Sequence, residues 1–228
     1  MIDIFAKGQD PHKIVGLKVR GLPESHDFSD PKELKETRQH VKPINFGLIY
    51  GLQPKSLVKY AKQEFGVDYT TRQAQEFYNM FFGMFREIPI WHKQDTERLR
   101  KQGYLRTVFG RKRILPKIYS DEEYAQSQAI RTGLNCMIQG PSSDATLLGG
   151  LNILRDPRID KNECRMVLFV HDALIFEIRE DKLDYYLPII KHHMENIPTE
   201  KFGFTMRLPL EVEAEVGDQL SDMQEVTV

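Results

Sequence analysis

Polar and apolar positions along the chain read as helical stretches first and as alternating, strand-like stretches later. GLPESHDFSDP, residues 21–31, is rich in Gly, Pro, Ser and Asp and predicts a loop. The stretch that follows, through RQHVKPINFGLIYG at 38–51, predicts a helix, and a second helix opens near Pro54 and fades at Gly66. Thr70 and Gln73 form a capping-box pattern ahead of AQEFYNMFFGMF. Pro89, at a first helical position, predicts another helix stopping at Gly103. YLRTVFGRKRILP then alternates like a hairpin, with Gly110 in its turn.

Asp121 is placed to cap a long helical stretch running to about Leu154, with Gly140-Pro141 marking a candidate break. CRMVLFV and ALIFEI are rich in β-formers and flank His171-Asp172, which predicts a tight hairpin turn at that pair. Residues 181–196 read as helix, and LPLEVEAEV alternates as a last strand. The predicted fold class is α+β, helices dominating the first part and a small antiparallel sheet the last.

Composition narrows the picture little. The 228 residues are enough to bury a real core, and their apolar and charged fractions are those of a globular protein. The formal net charge of −1 argues against a uniformly basic coat for nucleic acid, yet the layout is uneven. Every charged residue in RLRKQGYLRTVFGRKRILPK, 98–117, is basic, whereas acids outnumber Lys and Arg from 177 onward. Such segregation predicts one face for a polyanion. Cys136 and Cys164 lack metal-ligand spacing and are expected to be reduced thiols, consistent with a cytoplasmic location. No run is long and apolar enough to cross a membrane.

Arg38, Lys42, Phe46 and Tyr50 stand four residues apart, and on a helix such residues share one side, drifting by roughly 40° per step. A guanidinium and an ammonium suit phosphate oxygens, and the aromatics offer flat faces to a sugar or base. One ridge of this kind could hold a nucleoside triphosphate lengthwise; an amphipathic helix with solvated cations and core aromatics accounts for the spacing equally well. Pro43 has no N–H for the carbonyl of Gln39, so the main helix is expected to start at Pro43, with Arg38 and Lys42 on the turn before it.

The full pattern Arg-x₃-Lys-x₃-Phe-Gly-x₂-Tyr-Gly resembles the finger-helix motif of family A DNA polymerases, and the resemblance continues in order over essentially the whole chain. It implies a helical fingers subdomain plus part of a palm, divided as a lead-in at 1–30, fingers helices at 31–100, and a palm portion at 101–228. It also implies that Arg38 and Lys42 contact the triphosphate of an incoming dNTP, that Phe46 stacks near its sugar, and that Tyr50 closes against the nascent base pair. Phe46, where a relative could carry Tyr, implies discrimination against dideoxynucleotides. Asp10-Pro-His12 resembles an Asp-x-His element whose histidine approaches the phosphates. GYLRTVFGRKRILP resembles the hairpin that grips the duplex, with Thr107, Arg111 and Arg113 near backbone phosphates. RTGLNCMIQG resembles the element that tests the minor groove of terminal pairs through Arg131, Asn135 and Gln139, donors suited to acceptors shared by all base pairs.

FVHDALIF resembles the last polymerase motif, in which His171 meets DNA and Asp172 holds catalytic Mg²⁺; Lys42 and Asp172 are the residues this assigns to catalysis. The family usually has Glu where this chain has Ala173 and Gln where it has Phe169, a residue expected to serve sheet packing here. Its first catalytic motif, Asp-Tyr-Ser-Gln-x-Glu-Leu-Arg, has no counterpart in the sequence, whereas PLEVEAEVGDQLSDMQEV resembles the family's closing strand and tail. Two-metal phosphoryl transfer needs carboxylates sharing ions roughly 4 Å apart. The expectation is therefore a C-terminal portion of a polymerase that binds dNTP and primer-template DNA. On this reading it is inactive alone and relies on a second polypeptide, or an upstream segment, bringing the first Asp and the thumb. The rival readings are a non-catalytic DNA-binding module descended from a polymerase and, further off, part of a single-subunit RNA polymerase.

Overall fold

Asp30 opens the central helix of the first half: its carboxylate accepts from the backbone N–H of Lys32 at 2.8 Å, and Pro31 occupies the first helical position. The computed structural model describes residues 1–227, and in it this helix, α3 (Pro31–Ile49), follows two short ones, α1 (Ile2–Ala6) and α2 (Pro11–Val19). Helix α4 (Pro54–Phe65) ends at left-handed Gly66, as the sequence predicts. The Thr70–Gln73 box caps α5 (Thr71–Met84) with both reciprocal hydrogen bonds present. Helix α6 (Glu87–Gln102) starts two residues before Pro89 and ends at left-handed Gly103.

Helix α3 runs unbroken through Pro43, so the expected restart there is corrected. Proline inside a helix costs about 3 kcal/mol. Here Val41, Ile44 and Leu48, all buried on either side of it, contribute about 1.5–3 kcal/mol each by leaving water. A contact from outside the helix also holds this turn, though not at the Gln39 carbonyl that the proline leaves without its N–H. The Tyr69 hydroxyl donates to the carbonyl of His40, one turn before the proline, and the Tyr69 ring meets that of His40 edge-on at 5.2 Å. With Ala61, Phe77 and Phe81 these residues form one core among α2 to α5. Gly47 allows α4 close to α3, since a Cβ there would lie 2.9 Å from Leu57 Cδ1 and 3.1 Å from Leu52 Cδ1.

Strands β1 (Tyr104–Arg106) and β2 (Lys112–Ile114) pair antiparallel around Gly110, φ 85°. Helix α7 (Glu123–Arg155) then runs 33 residues, straight through the candidate break at Pro141. It begins past Asp121, and the turn before it is tied by Ser120 Oγ, which accepts from Glu122 N at 3.2 Å. Strands β3 (Cys164–Val170) and β4 (Ala173–Ile178) form a hairpin with an irregularity at Val167, and α8 (Leu183–Glu195) follows. The expected last strand survives only as β5 (Ala214–Val216), paired with β6 (Gln224–Val226). The α+β class holds, with its strands in three two-stranded ribbons among the described residues.

The chain divides into two compact units, one of residues 1–106 with 112–137, the other of 107–111 with 138–228. The first holds the α3 core and a second core of Leu99, Leu105, Leu115, Ile118 and Ala129; the second is built on Ile153, Cys164, Tyr186 and Ile190.

Candidate nucleotide and nucleic-acid sites

Asp10 ties the N-terminus of α2 to the side of α3. One of its carboxylate oxygens accepts from the His12 backbone N–H at 2.8 Å, capping α2; the other accepts from Arg38 Nε at 2.7 Å. That charged hydrogen bond leaves the outer nitrogens of the Arg38 guanidinium in a defined plane. The His12 ring lies edge-on to Phe46, centroids 5.4 Å apart, and its Nδ1 is 2.6 Å from Asn45 Nδ2. With the Asn45 amide donating, Nδ1 is the acceptor and the neutral ring carries its proton on Nε2. Burial lowers the His12 pKa most; Asp10 pulls it the other way, and the charges of Arg38 and Lys42 lower it further. Neutral His12 is thus a hydrogen-bond donor beside the cations of Arg38 and Lys42.

The unbroken α3 makes the four-residue row real. Arg38 to Tyr50 is twelve residues, or about 18 Å of helix. At one end Arg38 and Lys42 share a groove of about 320 Å³ with Pro31, Leu34, Lys35 and Gln39. Lys35 was not anticipated, although its i, i+3, i+7 relation to Arg38 and Lys42 was there to be read. Phe46 stays 37% exposed, standing between His12 and Phe65, whose ring it stacks on at 6.3 Å. At the other end Tyr50 lines a cavity of about 230 Å³ with Leu52, Tyr60, Arg131, Thr132 and Asn135. Burial raises the Tyr60 pKa, so that phenol stays protonated. Tyr50 thereby meets two residues some 80 positions away that a different motif had singled out. Asn45 is the other residue sequence reasoning passed over; it is 4% exposed, and its Oδ1 has no hydrogen-bond partner.

In the second unit, Thr107 is buried rather than presented to solvent. Its hydroxyl donates to Asp144 Oδ2 at 3.2 Å and accepts from the Arg111 backbone N–H at 3.1 Å. Arg111 is itself held, Nε to Asp144 Oδ1 at 3.0 Å and Nη2 to the Gly140 carbonyl at 3.0 Å, beside Pro141. Arg113, in the first unit, is exposed, as is Gln139 in the second. Arg131 donates from Nη1 to Ser127 Oγ one turn earlier at 3.0 Å.

His171 and Asp172 form the two-residue turn closing β3 on β4, with Val170 opposite Ala173. His171 has φ 57°, the sole non-glycine with positive φ among the described residues, at a turn position that usually takes Gly. The turn is held from α7, where Thr146 Oγ1 donates to the Asp172 carbonyl at 3.3 Å. Both side chains face solvent. Phe169 does not serve sheet packing as expected: with Val167, Leu168 and Val170 it forms a run of exposed apolar residues, 39–47% accessible. Among the described residues no three His, Cys, Asp or Glu side chains gather as a metal site, and no helix is long and apolar enough to cross a membrane.

Known proteins align with this arrangement over nearly its whole length. The family model for DNA polymerase family A matches residues 1–222. The thermostable DNA polymerase I of Thermus filiformis is 30% identical over 214 residues, 94% of this chain and 23% of that enzyme. DNA polymerase I of Pseudomonas aeruginosa is 30% identical over 220 residues, covering 95% and 22%. The DNA polymerase of Escherichia phage T5 is 31% identical over 184 residues, covering 73% and 21%. A solved structure, the POL domain of Pol1 from M. smegmatis in complex with DNA primer-template and dNTP, superposes with a TM-score of 0.74 at 28% identity, covering 92% of this chain and 34% of that one. The chain spans less than a quarter of the length of these curated relatives. With the family model matching almost the whole chain, this chain belongs to DNA polymerase family A.

Proposed function

We propose that this chain supplies the dNTP-binding fingers and part of the palm of a template-directed DNA polymerase. The segment borders follow the sequence reading, with lead-in 1–30, fingers 31–100 and palm portion 101–228. The observation that carries the proposal is the row His12, Arg38, Lys42, Phe46 and Tyr50, supported by Asp10 and Asn45 at hydrogen-bond distance. Arg38, Lys42 and the Nε2–H of His12 bind the triphosphate, with Lys42 the cation best placed to neutralise charge as the leaving pyrophosphate develops. Phe46 takes the sugar and Tyr50 the base. Arg131, Asn135 and Gln139 contact the minor groove of the primer-template terminus, while Arg113, Arg111 and Thr107 order the hairpin along its backbone, with His171 near the primer end.

Magnesium fits this chain in part. Asp172 offers one exposed carboxylate on a two-residue turn, one ligand where two-metal chemistry needs at least two carboxylates. We assign the other to polypeptide outside these 228 residues. Bound magnesium supplies activation of the primer 3′-hydroxyl and charge neutralisation on the departing pyrophosphate. The chain's own part is to hold the Asp172 carboxylate in a fixed turn and the triphosphate along α3.

Titration of the chain with dATP tests the nucleotide reading. Arg38→Ala and Lys42→Ala should each weaken binding by roughly 10- to 100-fold, for a lost charged hydrogen bond of about 1.5–3 kcal/mol; affinities equal to wild type would remove it. Ala173 and the lone Asp172 favour one second reading, a duplex-binding module without catalysis. Asp172→Ala separates the two in a polymerase assembled with the missing carboxylate: catalysis is lost with DNA binding intact only if the first reading holds.

A further inference from the structure

The C-terminal turn of α3 leaves one carbonyl for another element to satisfy. Phe46 O accepts from Tyr50 N at 3.1 Å, Gly47 O from Leu52 N at 2.9 Å and Leu48 O from Gly51 N at 3.0 Å. The Ile49 carbonyl instead has His92 Nε2 of α6 at 2.8 Å. A carbonyl can only accept, so the neutral ring is the Nε2–H tautomer. Burial, acting more strongly than the opposing Ile49 carbonyl and Asp95, lowers the His92 pKa and keeps the ring neutral.

The ring is itself fixed. Trp91 lies against it at 4.8 Å and Phe82 of α5 meets it edge-on at 6.0 Å. Trp91 is anchored in turn, its Nε1 donating to Asp95 Oδ2 at 2.6 Å. On the other side, Gly51 turns the chain with φ 80°, and a Cβ there would stand 2.9 Å from Leu134 Cδ1 and 4.0 Å from His92 Cε1. The peptide unit bearing the Ile49 carbonyl is the one that leads into Tyr50. Its orientation sets how Tyr50 enters the cavity it shares with Arg131 and Asn135.

We propose that His92 is a positioning residue for Tyr50: by capping the Ile49 carbonyl it fixes the Tyr50 ring as one wall of the base-side cavity. This rests on the nucleotide reading given above. No family motif noted in the sequence contains His92, and its role acts through the α3 terminus, not through contact with nucleotide.

The test uses the 228-residue chain with two probes, dATP and inorganic tripolyphosphate, each with magnesium. His92→Phe keeps a flat ring against Trp91 and Phe82 but has no donor; His92→Gln places an amide N–H near the position of Nε2. His92→Phe should weaken dATP by roughly three- to tenfold, the worth of one hydrogen bond, and leave tripolyphosphate unchanged, since phosphates engage the opposite end of the row. His92→Gln should restore dATP affinity to within about twofold, and in a Tyr50→Ala background His92→Phe should have no further effect. Where His92→Phe does not fold, His92→Asn, whose amide is too short to reach, replaces it. Equal dATP affinity in wild type and the donor-less variant, or equal loss of both probes, overturns the inference. A wild-type chain that binds dATP no better than tripolyphosphate overturns the base-side reading itself.

Discussion

Asp156, the first residue past α7, shows how completely one carboxylate can be used. Its oxygens accept from the backbone N–H of Arg158 at 2.9 Å, from Arg158 Nη2 at 2.6 Å and from His193 Nε2 of α8 at 2.6 Å. The Arg158 side chain, then His193, hold its carboxyl far below the usual carboxylate range. A depressed folded-state pKa means stabilisation that is complete above the unfolded-chain value near 4 and fades as pH falls toward the folded-state value. Asp156→Asn should therefore melt several degrees below wild type at pH 7, and the gap should narrow steadily from about pH 4 downward. A gap independent of pH would mean that charge at Asp156 contributes nothing. The same scale limits what sequence reading could reach. Asp10 was legible only as part of an Asp-x-His element; that it caps α2 with one oxygen and grips Arg38 with the other needed the fold. Thr107 and Arg111 were legible as a basic turn; their capture by Asp144 was not, because that carboxylate lies more than thirty residues away on another element.

At the scale of elements, α3 is the case in which local rules and packing disagreed. Proline rules end a helix at Pro43 and are sound for an isolated peptide, where the lost hydrogen bond has no compensation. Three buried aliphatic side chains reverse the outcome, while the Tyr69 hydroxyl holds the neighbouring carbonyl of His40. Tyr69→Phe removes that hydroxyl and keeps the ring against Phe77 and His40, so it should cost about 0.5–1.5 kcal/mol in urea unfolding. Phe81→Ala, in the same core and fully buried, should cost about 3–5 kcal/mol. A Tyr69→Phe variant as stable as wild type would show that the bond to the His40 carbonyl contributes nothing to holding this turn. Helix α7 also continues past Pro141, and Arg111 binds the Gly140 carbonyl just before it. Where no such conflict arose, as at the Thr70–Gln73 box, Gly66 and Gly103, elements end where the sequence says.

For the whole molecule, the near-zero net charge conceals a basic segment at 98–117 whose members are not equivalent. Arg113 is exposed, whereas the Arg111 guanidinium is already spent on Asp144 and Gly140. If the hairpin tracks duplex phosphates, affinity should fall linearly in log–log plots against salt, and Arg113→Ala should reduce the slope by about 0.9. Arg111→Ala should change the slope less and the melting temperature more. Fluorescence anisotropy over a salt series reads the first quantity and circular dichroism the second. The reverse ranking would place Arg111, not Arg113, on the phosphates.

By itself the sequence determined the α+β class, the helix ends marked by Pro54, Gly66, the Thr70–Gln73 box and Gly103, the two-residue His-Asp turn and the identity of the residues in the α3 row. These depend on interactions within a few positions: caps, turn φ angles, and an ordered motif read residue by residue. Only the tertiary structure decided that α3 survives its proline, that Tyr50 shares a cavity with Arg131 and Asn135, and that His92 and Asp144 are the partners of Ile49 and Arg111. Each of those outcomes pairs groups brought together by the path of the chain. A local preference of a few kcal/mol is overridden once burial and a hydrogen bond from a distant segment exceed it.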